Sequence, residues 1–350
     1  MDPDARHLLS ILIPVYNVAP CIRATVESLF RQHDPRVEYV FVNDRSPDDS
    51  WAVLEKTLAD YPDAAASVRL LEHEKNRGVE AARITALGVA TGEYIWFVDS
   101  DDIIAPGAIK AVLNALVDTR PDYLALKFKL LLPGETFASE ETTFRHRRID
   151  SGKLFESIVF SNSQQHGAWV NIVRRKLTAE HPMLRSGLKI GEDYVMHCYW
   201  VSFAESAASL SPAVYGYVQR QQSVTHKEGV GRWLSCFKRA HEILRPKLAE
   251  ELKEPRRKRY LTALMREGIW IRMTFFCKVM NEFPLEERKE LLRDYDTFFG
   301  DYTLSDAFRA VPLVLIPVML CDKLRCYRLM RLYTGFGAAA RKLLMKMRIV

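Results

Sequence analysis

Tyr94-Ile95-Trp96-Phe97-Val98-Asp99-Ser100-Asp101-Asp102 is a run of five apolar residues that breaks into four polar ones, three of them acids. Apolar positions without alternation read as a strand buried on both faces, as in a parallel sheet. Such sheets bind ligands outside the carboxyl ends of their strands, so acids placed there face a crevice. Upstream, Leu8 to Val15, Val37 to Val42 and Val68 to Leu71 read as further strands. Helical stretches separate them: Pro20 to Gln32, a segment opening near Asp48 with Asp and Ser available as caps, and Val79 to Ala90. Pro106 to Val117 follows as another helix. Strands spaced by helices of this length predict an α/β domain, its mostly parallel sheet covered on both faces.

The second strand also ends in acid, Val42-Asn43-Asp44, followed by Arg45-Ser46-Pro47-Asp48-Asp49. An Asp at a strand end can accept hydrogen bonds from a base or ribose. Two Asp one residue apart can offer oxygens to one hard cation, which neutralises a diphosphate. Equally, such acids cap helices or fill turns, and Asp48, Asp49 and Asp102 are assigned that structural duty. Gly191-Glu192-Asp193-Tyr194 opens a third polar cluster at the start of an apolar helical run, Glu192 to Phe203. The helix dipole alone would favour acids there; the alternative makes one of them a general base.

Taken in order, these segments resemble the family 2 glycosyltransferases. The resemblance rests on Ile11-Leu12-Ile13-Pro14-Val15-Tyr16-Asn17, Val42-Asn43-Asp44, Asn76-Arg77-Gly78 with Ala81-Ala82-Arg83, Ala90 to Ile95, Phe97 to Asp102, and Gly191-Glu192-Asp193. It covers about the first 225 residues and implies a GT-A fold and an inverting mechanism. Pro14 and Tyr16 would then line the base pocket with Asn17 beside them, Asp44 would bond the base, and Arg83 would lie near the nucleotide. Asp99 would touch ribose and, with Asp101, bind Mn2+ or Mg2+; Ser100 lies between them. Asp193 matches the base, with Glu192 shaping the acceptor side, and Arg220 would close over the diphosphate. Three positions depart from the family pattern. Arg45 stands where Gly is usual, which predicts a reshaped turn, and Ile84 and Ala86 replace Asn and Gly, which leaves the donor open.

The implied partners are a nucleotide-sugar donor, UDP-linked by preference, and a saccharide, polymer or lipid-linked acceptor. A polyprenyl-phosphate acceptor and a non-catalytic nucleotide-sugar-binding module are the alternatives. Residues 1–226 are expected to form the catalytic domain and 227–350 a basic helical region. From Lys227 onward there are 26 Lys and Arg against 15 Asp and Glu, and 24 against 29 before it. The run Val311 to Leu320 is too short to span a bilayer and carries two prolines. Basic amphipathic segments follow it, so this region reads either as an interfacial membrane anchor on anionic lipid or as a bundle packing on itself or on a second subunit.

No nucleic-acid motif is present, and no phosphate-binding glycine loop. The N-terminus carries no secretory pattern, and six scattered cysteines suit reduced thiols. The expectation is a cytoplasmic protein, peripheral on the membrane's inner face. His166, His181, His197 and His226 are spaced too irregularly for a metal site, and Trp169 and Trp200 are expected in the core.

Overall fold

A computed structural model describes residues 6–137, 142–160, 167–188, 190–220 and 230–268, with the backbone alone at 160 and 230–235. Two compact units divide the chain, Met1–Arg257 and Lys258–Val350; of the second, residues 258–268 are described, as helix. The expected boundary after residue 226 lies outside the described residues, as do Val311 to Leu320 and the basic segments after it. Among the described residues no helix is long and apolar enough to cross a membrane.

The first unit is built on an eight-stranded sheet. Its strands are β1 (His7–Val15), β2 (Val37–Asn43), β3 (Val68–Glu72), β4 (Gly92–Phe97), β6 (Tyr123–Ala125), β8 (Arg145–Ile149), β9 (Asn171–Arg174) and β10 (Ala207–Ser211). They lie in the order β3-β2-β1-β4-β9-β6-β10-β8. The first four are mutually parallel, β9 runs against its neighbours, and β8 closes the far edge antiparallel to β10. A second sheet, β5-β11-β7, joins β5 (Ile103–Ile104), β7 (Phe128–Leu131) and β11 (Tyr215–Val218).

Helices cover both faces. Leu9, Ile11, Ile13 and Val15 of β1 share a core with Ile22, Val26 and Leu29 of α1 (Ile22–Phe30). Helices α2 (Ser50–Ala59), α3 (Pro62–Ala65) and α5 (Ala108–Thr119) complete that side of the chain's early path. On the opposite face α4 (Val79–Val89) packs on β1 and β2. Phe97 at the end of β4 stacks there on Trp200 of α8 (Glu192–Phe203), centroids 6.4 Å apart and planes 5° from parallel. Burial on both faces is why β1 reads as a mostly apolar run, broken by buried Ser10, rather than an alternating one. The remaining helices are α6 (Ser151–Phe160), α7 (Arg175–Glu180) and α9 (Val230–Glu251).

Two features depart from the sequence reading. Tyr123 to Leu132, an apolar-rich stretch that by sequence reads as a single strand, is two strands in different sheets. Strands β8, β9 and β10 were not read at all. At the turn after Asp44, Arg45 takes φ +60°, the left-handed region a glycine would occupy without steric cost.

Candidate functional site

Adjacent strands β2, β1 and β4 end side by side, and the candidate residues stand on those ends. Pro14 pairs in register with Val42, and Tyr16 and Asn17 follow, both exposed. Asn17 has φ +55°, and its N–H donates to Ser46 Oγ at 3.3 Å.

Asp44 is buried at 2% exposure. Its Oδ1 accepts from His73 Nδ1 at 2.7 Å and Arg77 N–H at 2.8 Å, and its Oδ2 from Gly78 N–H at 2.7 Å. The Asn76-Arg77-Gly78 segment is therefore held by the strand-end acid. His73 reaches Thr85 Oγ1 with its Nε2 at 2.9 Å. Sequence reasoning passed over this histidine, although it is the first residue after β3 and so obeys the strand-end rule that found the acids.

The carboxylate oxygens of Asp99, Asp101 and Asp102 lie within 4.8 Å of one another. Burial raises all three above the usual carboxylate range. Asp99 reaches about 6, with Arg83 pulling it down and Asp193 and Asp101 pushing it up. Asp101 is raised by burial against the pull of Arg220, and Asp102 by burial and then by Asp101 and Asp99. Hard, crowded oxygens whose negative charge is penalised fit a divalent Mn2+ or Mg2+.

Asp102 is already engaged, accepting from Tyr215 Oη at 2.7 Å and Val218 N–H at 2.8 Å. These bonds tie the acid turn to β11, a structural duty different from the helix cap or turn that the sequence suggests for Asp102. Asp48 is engaged as well, accepting from Ala19 N–H at 2.9 Å and Ser50 N–H at 3.2 Å. Ser100 is buried and its carbonyl accepts from Thr25 Oγ1 at 3.0 Å.

Arg220, just beyond β11, bonds the Asp101 carboxylate at 3.1 Å and its backbone carbonyl. Cys21 lies beside this pair. Burial pushes its thiol up to about 11, against the pull of Arg220.

Arg83 gathers the acids of the opposite wall. Its Nη2 donates to Asp99 at 3.1 Å, and its Nη1 to Glu192 at 3.2 Å and to Asp193. It was expected near the nucleotide; its observed partners are these three carboxylates, Asp99 among them. Gly191, with φ +88°, turns the chain into α8 so that Glu192 and Asp193 occupy the first turn. Asp193 also accepts from Ala168 N–H at 3.1 Å. Burial first and Asp193 second push the Glu192 carboxyl up to about 8, while Arg83 pulls it down.

Both tryptophans are in the core, as expected. Trp169 stacks between Tyr215 and Tyr217 at 4.5 and 5.3 Å, and Trp200 is fully buried. His181 stacks on Phe203 at 3.6 Å and buried His197 bonds Tyr123. His166 and His226 lie outside the described residues. Cys21, Cys198 and Cys236 are unbridged.

Residues 10–165 match the family described as "Glycosyl transferase family 2". The "Uncharacterized glycosyltransferase EpsJ" of Bacillus subtilis (strain 168) is 26% identical over 227 residues, 62% of this chain and 63% of that protein. The "Succinoglycan biosynthesis protein ExoO" of Rhizobium meliloti (strain 1021) is 27% identical over 234 residues, 64% and 65% of the two chains. The chain therefore spans a little under two thirds of the length of these relatives. Among solved structures, S. aureus TarS 1–349 in complex with UDP-GlcNAc superposes with a TM-score of 0.72 at 21% identity, covering 94% of this chain and 92% of that one. The likeness establishes the fold as GT-A.

Proposed function

Residues 10–165 are a family 2 glycosyltransferase domain, and from that premise we propose that the chain moves a sugar from a nucleoside-diphosphate sugar to a hydroxyl of a polysaccharide, polymer or glycolipid, with inversion. The observation that carries the proposal is the meeting of Asp99 and Asp193 on one guanidinium. It brings the acid on the donor side together with an acid fit to serve as base for an attacking hydroxyl. The UDP-GlcNAc bound in TarS supports a UDP-linked donor, and the succinoglycan role in the name of ExoO supports a polymeric acceptor.

Pro14, Tyr16 and Asn17 border the base, and Asp44, whose carboxylate is held by His73, Arg77 and Gly78, fixes the segment beside it rather than bonding the base directly. Asp99 and Asp101 hold Mn2+ or Mg2+, which when bound supplies positive charge against the leaving diphosphate, and Arg220 adds a second cation on that side. Asp193 takes the proton of the acceptor hydroxyl as it attacks C1 from the face opposite the diphosphate. The C–O bond to the acceptor forms as the bond to the diphosphate breaks, so an α-linked donor gives a β-linked product.

The test is nucleotide release and donor binding with UDP-, GDP-, CDP- and dTDP-sugars under Mn2+, Mg2+ or EDTA. One donor bound in a metal-dependent way, weakened by Asp101→Ala, and turned over with loss in Asp193→Asn, is the expected result. A folded wild type that binds none of them under any metal overturns the proposal and leaves a docking module.

A further inference from the structure

Arg83 stands on α4 with its side chain 3% exposed. Burying a guanidinium is costly unless its donors are paired; here Nη1 and Nη2 are paired three ways, while the buried Nε has no hydrogen-bond partner among the described residues. Nη2 faces Asp99, beyond the end of β4; Nη1 faces Glu192 and Asp193, in the first turn of α8. Beneath it lies the Phe97 ring, 5.9 Å from the guanidinium carbon, itself stacked on Trp200 of α8. The cation is thus pinned between the helix that carries the base and the strand that carries the donor acid.

Those two acids serve opposite halves of the proposed reaction, Asp99 the donor and Asp193 the acceptor. We propose that Arg83 is a positioning residue that couples them, so that the state of the base is felt at the donor acid and the reverse. The inference rests on the transferase reading above. Its physical ground is the rigidity of the fork: Nη1 and Nη2 are fixed in one plane, so a carboxylate that moves on one prong tilts the donor offered to the other. A lysine ammonium, a compact point charge, holds no such geometry. Linkage also makes the effect reciprocal: whatever Asp193 does to donor affinity, the donor does to Asp193.

The test uses the full chain, with UDP and Mn2+ as the binding probe and the donor from the panel above for turnover. Arg83→Lys is expected to lower kcat about 100-fold, the scale of a small misplacement of reacting groups, with a much smaller change in donor KM. Asp193→Asn is expected to shift the Kd for UDP with Mn2+ by at least about threefold, although Asp193 is not a donor ligand; in Arg83→Lys/Asp193→Asn that added shift disappears, as coupling through Arg83 requires. An unchanged kcat in Arg83→Lys, or a UDP affinity in Asp193→Asn equal to wild type, overturns the proposal. Should Arg83→Lys fail to fold, the Asp193→Asn affinity decides alone. A wild type that binds no UDP with Mn2+ and turns over no donor marks failure of the transferase reading instead.

Discussion

The Tyr215 hydroxyl donates to the Asp102 carboxylate at 2.7 Å across 113 residues of chain, and accepts from the Asp99 N–H at 3.2 Å. One phenol thereby ties β11 to the acid turn after β4. Val218 N–H reinforces the tie, and two residues further on Arg220 reaches Asp101. The second sheet sets the Arg220 guanidinium against the Asp101 carboxylate.

Tyr215→Phe keeps the ring stack on Trp169 but strips both partners of that hydroxyl. Buried groups left unpaired cost about 1–3 kcal/mol, so thermal unfolding should show a Tm lower by a few degrees. Metal-dependent donor affinity should fall with it, because Asp99 and Asp102 lose a common anchor. A variant with wild-type Tm and donor affinity would show that the phenol is dispensable.

Glu192 supplies a pH signature. Its carboxyl is pushed up to about 8 in the folded chain, by burial first and Asp193 second, against an ordinary value near 4.5. Between those limits the folded chain holds a proton that the unfolded chain has released, so this group's contribution to stability declines as pH rises from about 4.5 to 8. Thermal melts in EDTA should find Glu192→Gln gaining on wild type steadily across pH 5 to 8. A difference independent of pH would contradict it.

Asp193→Asn distinguishes acceptor classes. If the acceptor is a hydroxyl, loss of the base should lower kcat about 10²- to 10⁴-fold. A polyprenyl phosphate arrives already ionised and should leave kcat nearly unchanged. Steady-state kinetics on the two acceptor types reads the difference directly.

Two glycines make a contrasting pair. A Cβ on Gly92 would stand 2.5 Å from both the backbone N and the Oγ of Ser10 in the neighbouring strand, and β1 cannot yield there without disturbing the sheet. Gly92→Ala should cost about 1–3 kcal/mol or more. Gly88 in α4 has nothing within 4 Å of such an atom, so Gly88→Ala should stabilise by about 0.5–1 kcal/mol. Denaturant melts of both variants check the opposite signs.

What the sequence disclosed follows from burial. Strands β1, β2 and β4 are covered on both faces, so their residues are predominantly apolar without alternation, broken by buried Ser10, Glu38 and Glu93 before their polar ends; the acids beyond β2 and β4 were legible for the same reason. Helix α8 was read with its observed bounds, Glu192 to Phe203. Strands β8, β9 and β10 escaped because their segments, RHRRI, NIVR and AASLS, are short and basic, mixed or small, and are made strands by their neighbours rather than by their own pattern. Tyr123 to Leu132 seemed one strand because nothing local records the change of sheet between Ala125 and Phe128. In the site, individual acids could be named, but the arginine that joins three of them could not be given that role. Contacts between residues 16, 109 and 110 positions apart leave no trace in spacing.

Strand β8 carries Arg145, Arg147 and Arg148 exposed at the rim of the large sheet. Among the described residues no strand pairs with the outer side of β8; a sheet edge is a template for another chain, and like charges along it repel a second copy at low ionic strength. That repulsion is screened over about 10 Å at 0.1 M salt, and a polyanion would cancel it outright. Colloidal behaviour should therefore depend on the buffer: light scattering should stay low in dilute salt and rise on adding heparin or polyphosphate, with Arg145→Glu/Arg147→Glu suppressing the rise. The ionic conditions that keep this protein dispersed should thus depend on the edge of its sheet, four strands away from β4.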